Sequence, residues 1–164
     1  MIDSEGFRAN VGIILTNDLG RVFWARRLGM DAWQFPQGGI KKDESHKLAM
    51  YRELREETGL DEEHVKIMGF TDNWLRYSLP KRFIRQNNYP LCIGQKQIWY
   101  LLKLVVDESY VNLTYTDEPE FDKWKWVDLW DPINEVVSFK RGVYEQAIKY
   151  FAPFITSPEY EKRY

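Results

Sequence analysis

The stretch RELREETGL, residues 52–60, sets Glu53, Glu56 and Glu57 on a turn and a half of a predicted helix. Ser45 is the predicted N-cap, the helix is expected to run to about Thr58, and Gly59 stops it just past the C-cap. Like charges three and four residues apart lie about 5–6 Å from each other at Cβ and repel unless something positive stands between them. At about 100° per residue, with Met50 at zero, Leu54 falls at about 40°, Glu57 at about 340°, Glu53 at about 300° and Glu56 at about 240°. The carboxylates therefore share one arc that begins beside the apolar stripe of Met50 and Leu54, with only the small Ala49 among them. They do not form the outer face, and Glu57 at least is expected to be partly buried. A desolvated carboxylate without a partner is costly, and hard divalent cations prefer oxygen ligands, so a metal ion would turn the repulsion into coordination. The competing reading is an ordinary solvated glutamate face bonded to Arg52 or Arg55 at helical spacing.

Around this helix the chain reads as one domain, with residues 1–157 as its extent and residues 158–164 as a frayed tail. VGIIL and RVFWAR, separated by TNDLG, are expected to form a hairpin, and WQFPQGGI a loop punctuated by Pro36, Gly38 and Gly39. HVKIMGF, KQIWYLLKLVV and KWKWVDL read as strands, and SFKRGVYEQAIKYFAPF as a closing amphipathic helix presenting Val143, Ala147 and Ile148, with Tyr144 and Phe151 nearby. Strands between an early and a late helix imply an α/β sandwich with a mixed sheet. Hydrophobic residues make up 44% and aromatics 16% of the 164 residues, which excludes a disordered chain. Trp24, Trp33, Trp99, Trp124 and Trp126 are expected in the core and in strand pairs, and His46 and His64 on surface positions. The single cysteine, Cys92, excludes an internal disulfide and is expected as a small buried side chain. The N-terminal apolar run is too short for a signal peptide or a membrane span, so an unprocessed cytoplasmic protein with no membrane partner is expected.

The net charge of -2 carries no global message about nucleic acid, but its distribution does. Between Asn73 and Val106 there is no acid, while Arg76, Lys81, Arg82, Arg85, Lys96 and Lys103 fall inside.

Outward from the glutamates, Gly38 is followed by five residues and Glu44, then by seven residues and RELREETGL. This is GX5EX7REUXEEXGU without a departure, U being a bulky aliphatic. A chance match at its seven fixed positions is on the order of 10⁻⁸ per start site at roughly 7% usage each. The pattern is similar to the signature of the Nudix hydrolases, which cleave a nucleoside diphosphate linked to another group. GFRANVGIIL, WARR, WQFPQGGI, NWLRYSLPKR, CIGQKQIWYLLKL, PEFDKWKWV and VVSFKRGVY resemble the bacterial RNA 5′-pyrophosphohydrolase branch from end to end.

The resemblance implies a Nudix α/β/α fold and Mg²⁺, with Mn²⁺ able to substitute, held by Glu53, Glu56 and Glu57. It implies that Arg52 steadies a glutamate, Glu44 above all, and that Gly38 or Gly39 offers a carbonyl to the ion, Gly38 being taken as the ligand. Gly39 and Gly59 complete the motif structurally. A distant acid is expected as base or further ligand, and Glu120 matches that position rather than its neighbour Glu118. Arg8 and Lys140 match phosphate contacts, while Arg27 and Phe139 match positions that hold a base; Ser138 adjoins them. A stacked guanidinium and ring suit single-stranded RNA, although Phe139 could equally be core. Arg76, Lys81, Arg82, Tyr77 and Gln95 are further substrate-side candidates; Lys96 and Lys103 are expected to be solvated or core-covering. The implied reaction converts 5′-triphosphate or 5′-diphosphate RNA to 5′-monophosphate RNA, in mRNA decay. A dinucleoside polyphosphate hydrolase and a non-catalytic RNA-binding module are the alternatives, the intact glutamate set opposing the second.

Overall fold

The computed structural model describes residues 1–155; the expected frayed tail lies outside the described residues. Eight strands, β1 (Phe7–Thr16), β2 (Val22–Arg27), β3 (Trp33–Gln34), β4 (Gln37–Gly39), β5 (Val65–Phe70), β6 (Leu75–Ser78), β7 (Gly94–Leu104) and β8 (Phe121–Val127), accompany three helices. These are α1 (His46–Thr58), α2 (Asp131–Glu135) and α3 (Arg141–Ile155).

The two long strands, β1 and β7, run parallel from Phe7↔Gly94 to Thr16↔Lys103. Both are buried from Asn10 and Gln97 onward, and most of the side chains there are apolar, as suits strands covered on both faces. Successive side chains then divide between two cores. Val11, Ile13 and Leu15 join Ile98, Tyr100 and Leu102 under Ala49, Met50 and Leu54 of α1. Ile14 joins Trp99 and Leu101 under Val143, Tyr144, Ala147, Ile148 and Phe151 of α3. The result is the expected mixed sheet between helices. The far edge of β7 is shared by β5 and β6, both antiparallel. No helix among the described residues is long and apolar enough to cross a membrane.

The structure revises several local expectations. β1 and β2 pair only at Thr16↔Val22, because Gly12 to Asn10 of β1 pair with β4 and the Ile13 N–H donates to the Pro36 carbonyl at 2.9 Å. The expected WQFPQGGI loop is thus two short strands bent at Pro36, and β2 turns away to pair with β3 and β8. β6 and α2 have no counterpart in the sequence reading: one is four residues long with a single buried side chain, the other five residues long with a proline at its second position. The closing helix begins at Arg141, since Ser138–Lys140 form a separate 3₁₀ turn.

Neither histidine is a free surface group. The His46 ring lies against Phe70 and Tyr100 with Nδ1 at the Tyr100 hydroxyl, and His64 Nδ1 accepts from the Asp61 N–H at 2.9 Å. Cys92 is half-buried rather than core, its thiol directed at the Gly94 carbonyl. Lys96 pairs with Asp3 at 3.0 Å and Lys103 with Asp18 at 3.5 Å, which agrees with their structural reading.

The close approach of β1 to β7 depends on Gly12, where a Cβ would fall 2.5 Å from the fully buried Trp99 ring. Gly12→Ala is therefore expected to cost about 1–3 kcal/mol, lowering Tm by roughly 2–12 °C for a domain of this size. A calorimetric melt equal to that of the wild type would contradict this packing.

Candidate active site

The acidic helix is fixed at both ends by its own sequence. Ser45 Oγ accepts from the Leu48 N–H at 3.2 Å, and Gly59, with φ at 74°, turns its N–H back to the Arg55 carbonyl at 2.9 Å. With the Met50–Leu54 stripe against the sheet, Glu53 and Glu57 are carried inward to 8% and 6% exposure, while Glu56 stays half-exposed. Glu53 reaches its place because Gly38 has no side chain: a Cβ there would lie 1.9 Å from the Glu53 carboxyl carbon. Glu57 Oε2 accepts from the Gln37 N–H at 3.2 Å.

Arg52 organises the rest. Its Nε donates to Glu44 Oε2 at 2.8 Å, its Nη2 to Glu44 Oε1 at 2.9 Å and to the Gly39 carbonyl at 2.7 Å. Its Nη1 donates to Glu53 Oε1 at 2.7 Å and reaches Glu56 Oε2 at 3.5 Å. The guanidinium holds the Glu44 carboxyl down to about 2, and Arg52 itself is raised by the same bonds. Since Gly39 gives its carbonyl to Arg52, Gly38 is the better placed of the two glycines for a cation.

The other carboxylates are strained in the opposite sense. Burial pushes Glu53 upward against the pull of Arg52. Burial pushes Glu57 well above the usual range, reinforced by the charges of Glu53 and Glu120. The carboxylates of Glu53, Glu56, Glu57, Asp117, Glu118 and Glu120 line one cleft of about 480 Å³. Desolvated, mutually repelling oxygen donors fit a hard divalent cation. Among the described residues no three acidic, histidine or cysteine side chains are already gathered around one ion position. Such an open wall suits an ion that keeps waters and bridges substrate phosphates.

The substrate-side candidates gather on the α3 face of the sheet. Strand register places Arg8 beside Gln95 and Gln95 beside Tyr77, in one row across β1, β7 and β6. The Tyr77 ring lies 5.8 Å from Phe139, and Phe139 lies 5.8 Å from Phe83. Phe139 is half-buried at the edge of the core, so it packs with one side and faces a cleft with the other. That cleft, about 760 Å³, is lined by Arg27, Gln95, Phe139 and Lys140 together with Trp33 and Gln34. Lys140, 9% exposed, donates to Gln34 Oε1 at 3.3 Å. Burial, and then the nearby Arg27 charge, bring its ammonium down to about 8, opposed by Glu120 and Glu57.

Arg8 lies in a smaller cleft of about 200 Å³ with Arg85 and Gln95. Lys81 and Arg82 sit exposed on the 3₁₀ turn Lys81–Phe83, Arg82 over the Phe83 ring at 4.7 Å, and Ser138 is exposed at the start of the 3₁₀ turn before α3; none of the three lines these clefts. Glu120 differs from Glu118 in being tied to the substrate side. Its carbonyl accepts from the Leu28 N–H at 2.9 Å and its carboxylate faces Arg27 Nε at 3.8 Å. Trp33, Gln34, Arg85 and Asp117 were not among the sequence-derived site residues; each lines a cleft only because a loop or strand end is brought there from elsewhere in the chain.

The family model for the NUDIX domain matches residues 6–147. The chain belongs to the NUDIX family. It is 58% identical to an RNA pyrophosphohydrolase of Hahella chejuensis, over 97% of this chain and 99% of that one. It is 61% identical to an RNA pyrophosphohydrolase of Pseudoalteromonas atlantica, over 93% of this chain and 88% of that one. Among solved structures, the E. coli dihydroneopterin triphosphate pyrophosphohydrolase shares the NUDIX fold with a TM-score of 0.69 at 20% identity, covering 88% of this chain and 98% of that chain. A C. elegans Ap4A hydrolase shares it with a TM-score of 0.62 at 19% identity, covering 90% and 97%. NUDIX hydrolases need divalent metal ions, and the acidic wall on α1 has the donors for them.

The raised Glu57 carboxyl has a consequence for stability. A carboxyl whose folded pKa exceeds its unfolded value favours folding at low pH, and that advantage is lost as pH rises from ~4.3 through the folded value. At pH 7, above the unfolded value, metal-free protein has therefore lost part of that advantage. Glu57→Gln is expected to raise Tm at pH 7 in chelator, and added Mn²⁺ to raise the wild-type Tm more than that of the variant. Thermal melts with and without Mn²⁺ check both; a variant less stable in chelator would contradict the strain.

Proposed function

We propose that this NUDIX chain is an RNA 5′-pyrophosphohydrolase, converting 5′-triphosphate or 5′-diphosphate RNA to 5′-monophosphate RNA and so promoting mRNA decay. Mg²⁺ is the proposed ion, with Mn²⁺ able to replace it, held by Glu53, Glu56 and Glu57 and the Gly38 carbonyl. When bound, the ion acidifies a water and neutralises phosphate charge. The protein supplies the remainder. Arg52 and Glu44 hold Glu53 in orientation, and Glu120 takes a proton from the attacking water or adds a ligand. Lys140 and Arg8 hold phosphate oxygens, and Arg27 and Phe139 clasp a base.

The observation that carries this reading is the contact of Arg27 with Glu120, where the acidic cleft meets the aromatic and cationic one. A triphosphate at the metals thereby has a base-sized, π-lined space beside it. The high identity to RNA pyrophosphohydrolases over nearly the whole chain supports the same substrate. The one half-buried thiol fits a cytosolic setting.

A competition assay between triphosphorylated RNA and diadenosine tetraphosphate tests the substrate. RNA is expected to be consumed first, and preferential consumption of the dinucleotide would replace this reading with the dinucleoside polyphosphate hydrolase. In a chelator all turnover should stop, and Mg²⁺ or Mn²⁺ should restore it; Glu53→Gln should stay inactive with metal while folding normally by circular dichroism.

Phe139→Ala removes a π face without touching charge. Base–aromatic stacking is worth ~1–3 kcal/mol, so kcat/KM for triphosphorylated RNA should fall by roughly five- to 150-fold. Inorganic tripolyphosphate, which has no base, should be affected far less. Parallel losses on both substrates with a lowered Tm would make Phe139 a packing residue only.

A further inference from the structure

β4 carries more of the acidic site than its three residues suggest. The Gln37 N–H donates to Glu57 Oε2 at 3.2 Å, Gly38 leaves the space that Glu53 fills, and the Gly39 carbonyl accepts from Arg52 at 2.7 Å. Two of the three residues are glycines, so Gln37 supplies the only side chain by which this strand can be anchored.

That side chain ends a directed run of hydrogen bonds from the core. The Trp99 indole, which can only donate, gives its Nε1–H to Gln97 Oε1 at 3.1 Å. Gln97 Nε2 is thereby turned the other way, donating to Asn10 Oδ1 at 2.8 Å and to Gln37 Oε1 at 3.4 Å. With its oxygen taken, the Gln37 amide has its nitrogen left for the Tyr77 hydroxyl, to which the Gln37 side chain is hydrogen-bonded. A donor-only group at one end thus sets which way round every amide in the run must lie. Trp99, Gln97, Asn10 and Tyr77 are all buried and stand on β1, β6 and β7. The Gln97 amide has partners in Asn10 and Trp99 without Gln37, and Gln37 itself is half-buried, so its two bonds are not needed to seal the core. What they hold is the strand between Glu53 and Glu57.

We infer that Gln37 is a positioning residue for the metal centre: its side chain, clamped between Gln97 and Tyr77, fixes β4 so that its own N–H orients Glu57 and Gly38 stays against Glu53. This role rests on the metal site proposed above, whichever phosphorylated substrate is cleaved there. It gives Tyr77 a second task, toward β4 as well as toward the substrate-side cleft.

Two variants test it. Gln37→Met keeps the backbone N–H and the length of the side chain while removing both bonds, and Tyr77→Phe removes one partner. Mn²⁺ affinity is measured without substrate, from the electron paramagnetic resonance of the free ion, and Tm in chelator on the same preparations. Gln37→Met should weaken Mn²⁺ binding roughly tenfold, as loss of a group behind a metal ligand does, with Tm lowered by only a few degrees. At an Mn²⁺ concentration near the wild-type Kd, kcat should fall while KM for triphosphorylated RNA stays within about twofold, since the cationic clefts are untouched. Tyr77→Phe should weaken Mn²⁺ binding in the same direction. The double variant should bind Mn²⁺ no worse than Gln37→Met alone, because both substitutions break one bond.

Unchanged Mn²⁺ affinity in Gln37→Met would overturn the role. So would losses that add in full in the double variant, or a fall in kcat with Mn²⁺ affinity intact. Should Gln37→Met fail to fold, wild-type Mn²⁺ affinity in Tyr77→Phe would overturn it instead. Failure of the metal reading itself shows differently, as wild-type protein that leaves the free Mn²⁺ signal unchanged.

Discussion

The guanidinium of Arg52 is the interaction on which the rest of the site depends. It lies among the carboxylates of Glu44, Glu53 and Glu56 and the carbonyl of Gly39, and bonds to all four. Without a fixed cation there, the acids of α1 would repel each other and Glu53 would have no reason to remain against Gly38. A planar fork can serve several acceptors in set directions, which an ammonium cannot. Arg52 therefore offsets part of the carboxylate repulsion in the folded protein, while Glu57, outside its reach, stays raised by burial and by the charges of Glu53 and Glu120.

That arrangement requires α1 to be held firmly, and the sheet provides it. β1 and β7 are buried on both faces, and their register is reinforced by polar groups inside the core. Gln97 Nε2 donates to Asn10 Oδ1 at 2.8 Å, and Trp99 Nε1 donates to Gln97 Oε1 at 3.1 Å. A slip of one residue would leave these amides unpaired and send Ile13 and Ile14 to the wrong cores. The same register that satisfies the amides aligns Arg8, Gln95 and Tyr77 in a row. The paired core amides and the row of candidate substrate-side residues are thus consequences of one strand pairing.

The electrostatic layout follows from where chain segments return. The acid-free segment from Asn73 to Val106 supplies β6, the 3₁₀ turn and the start of β7, and these border the cationic clefts. The loop before β8 brings Asp117, Glu118 and Glu120 across to the acids of α1. Negative and positive walls meet at Arg27 and Glu120, next to a register shift between Arg26 and Arg27 in the β2–β8 pairing. A bulge of that kind turns a side chain out of its regular direction, here toward the boundary between the clefts.

Much of α1 was determined by sequence alone. Ser45 and Gly59 bound the helix, the Met50–Leu54 stripe orients it, and the position of the glutamates beside that stripe already demands burial and compensation. These are local relations, fixed by helical periodicity and caps within a few residues. The spacing from Gly38 through Glu44 to the helix carried the family for the same reason. Tertiary structure decided what no periodicity encodes: that Pro36 opens a strand between β1 and β2, that β6 exists, and that Phe139 is half core and half cleft. It also decided that Lys81, Arg82 and Ser138 stand outside the clefts while Arg85, Gln34 and Trp33 line them. Cleft membership depends on parallel pairing between strands some ninety residues apart, and the free energy that fixes such pairing lies in contacts across the sheet rather than along the chain.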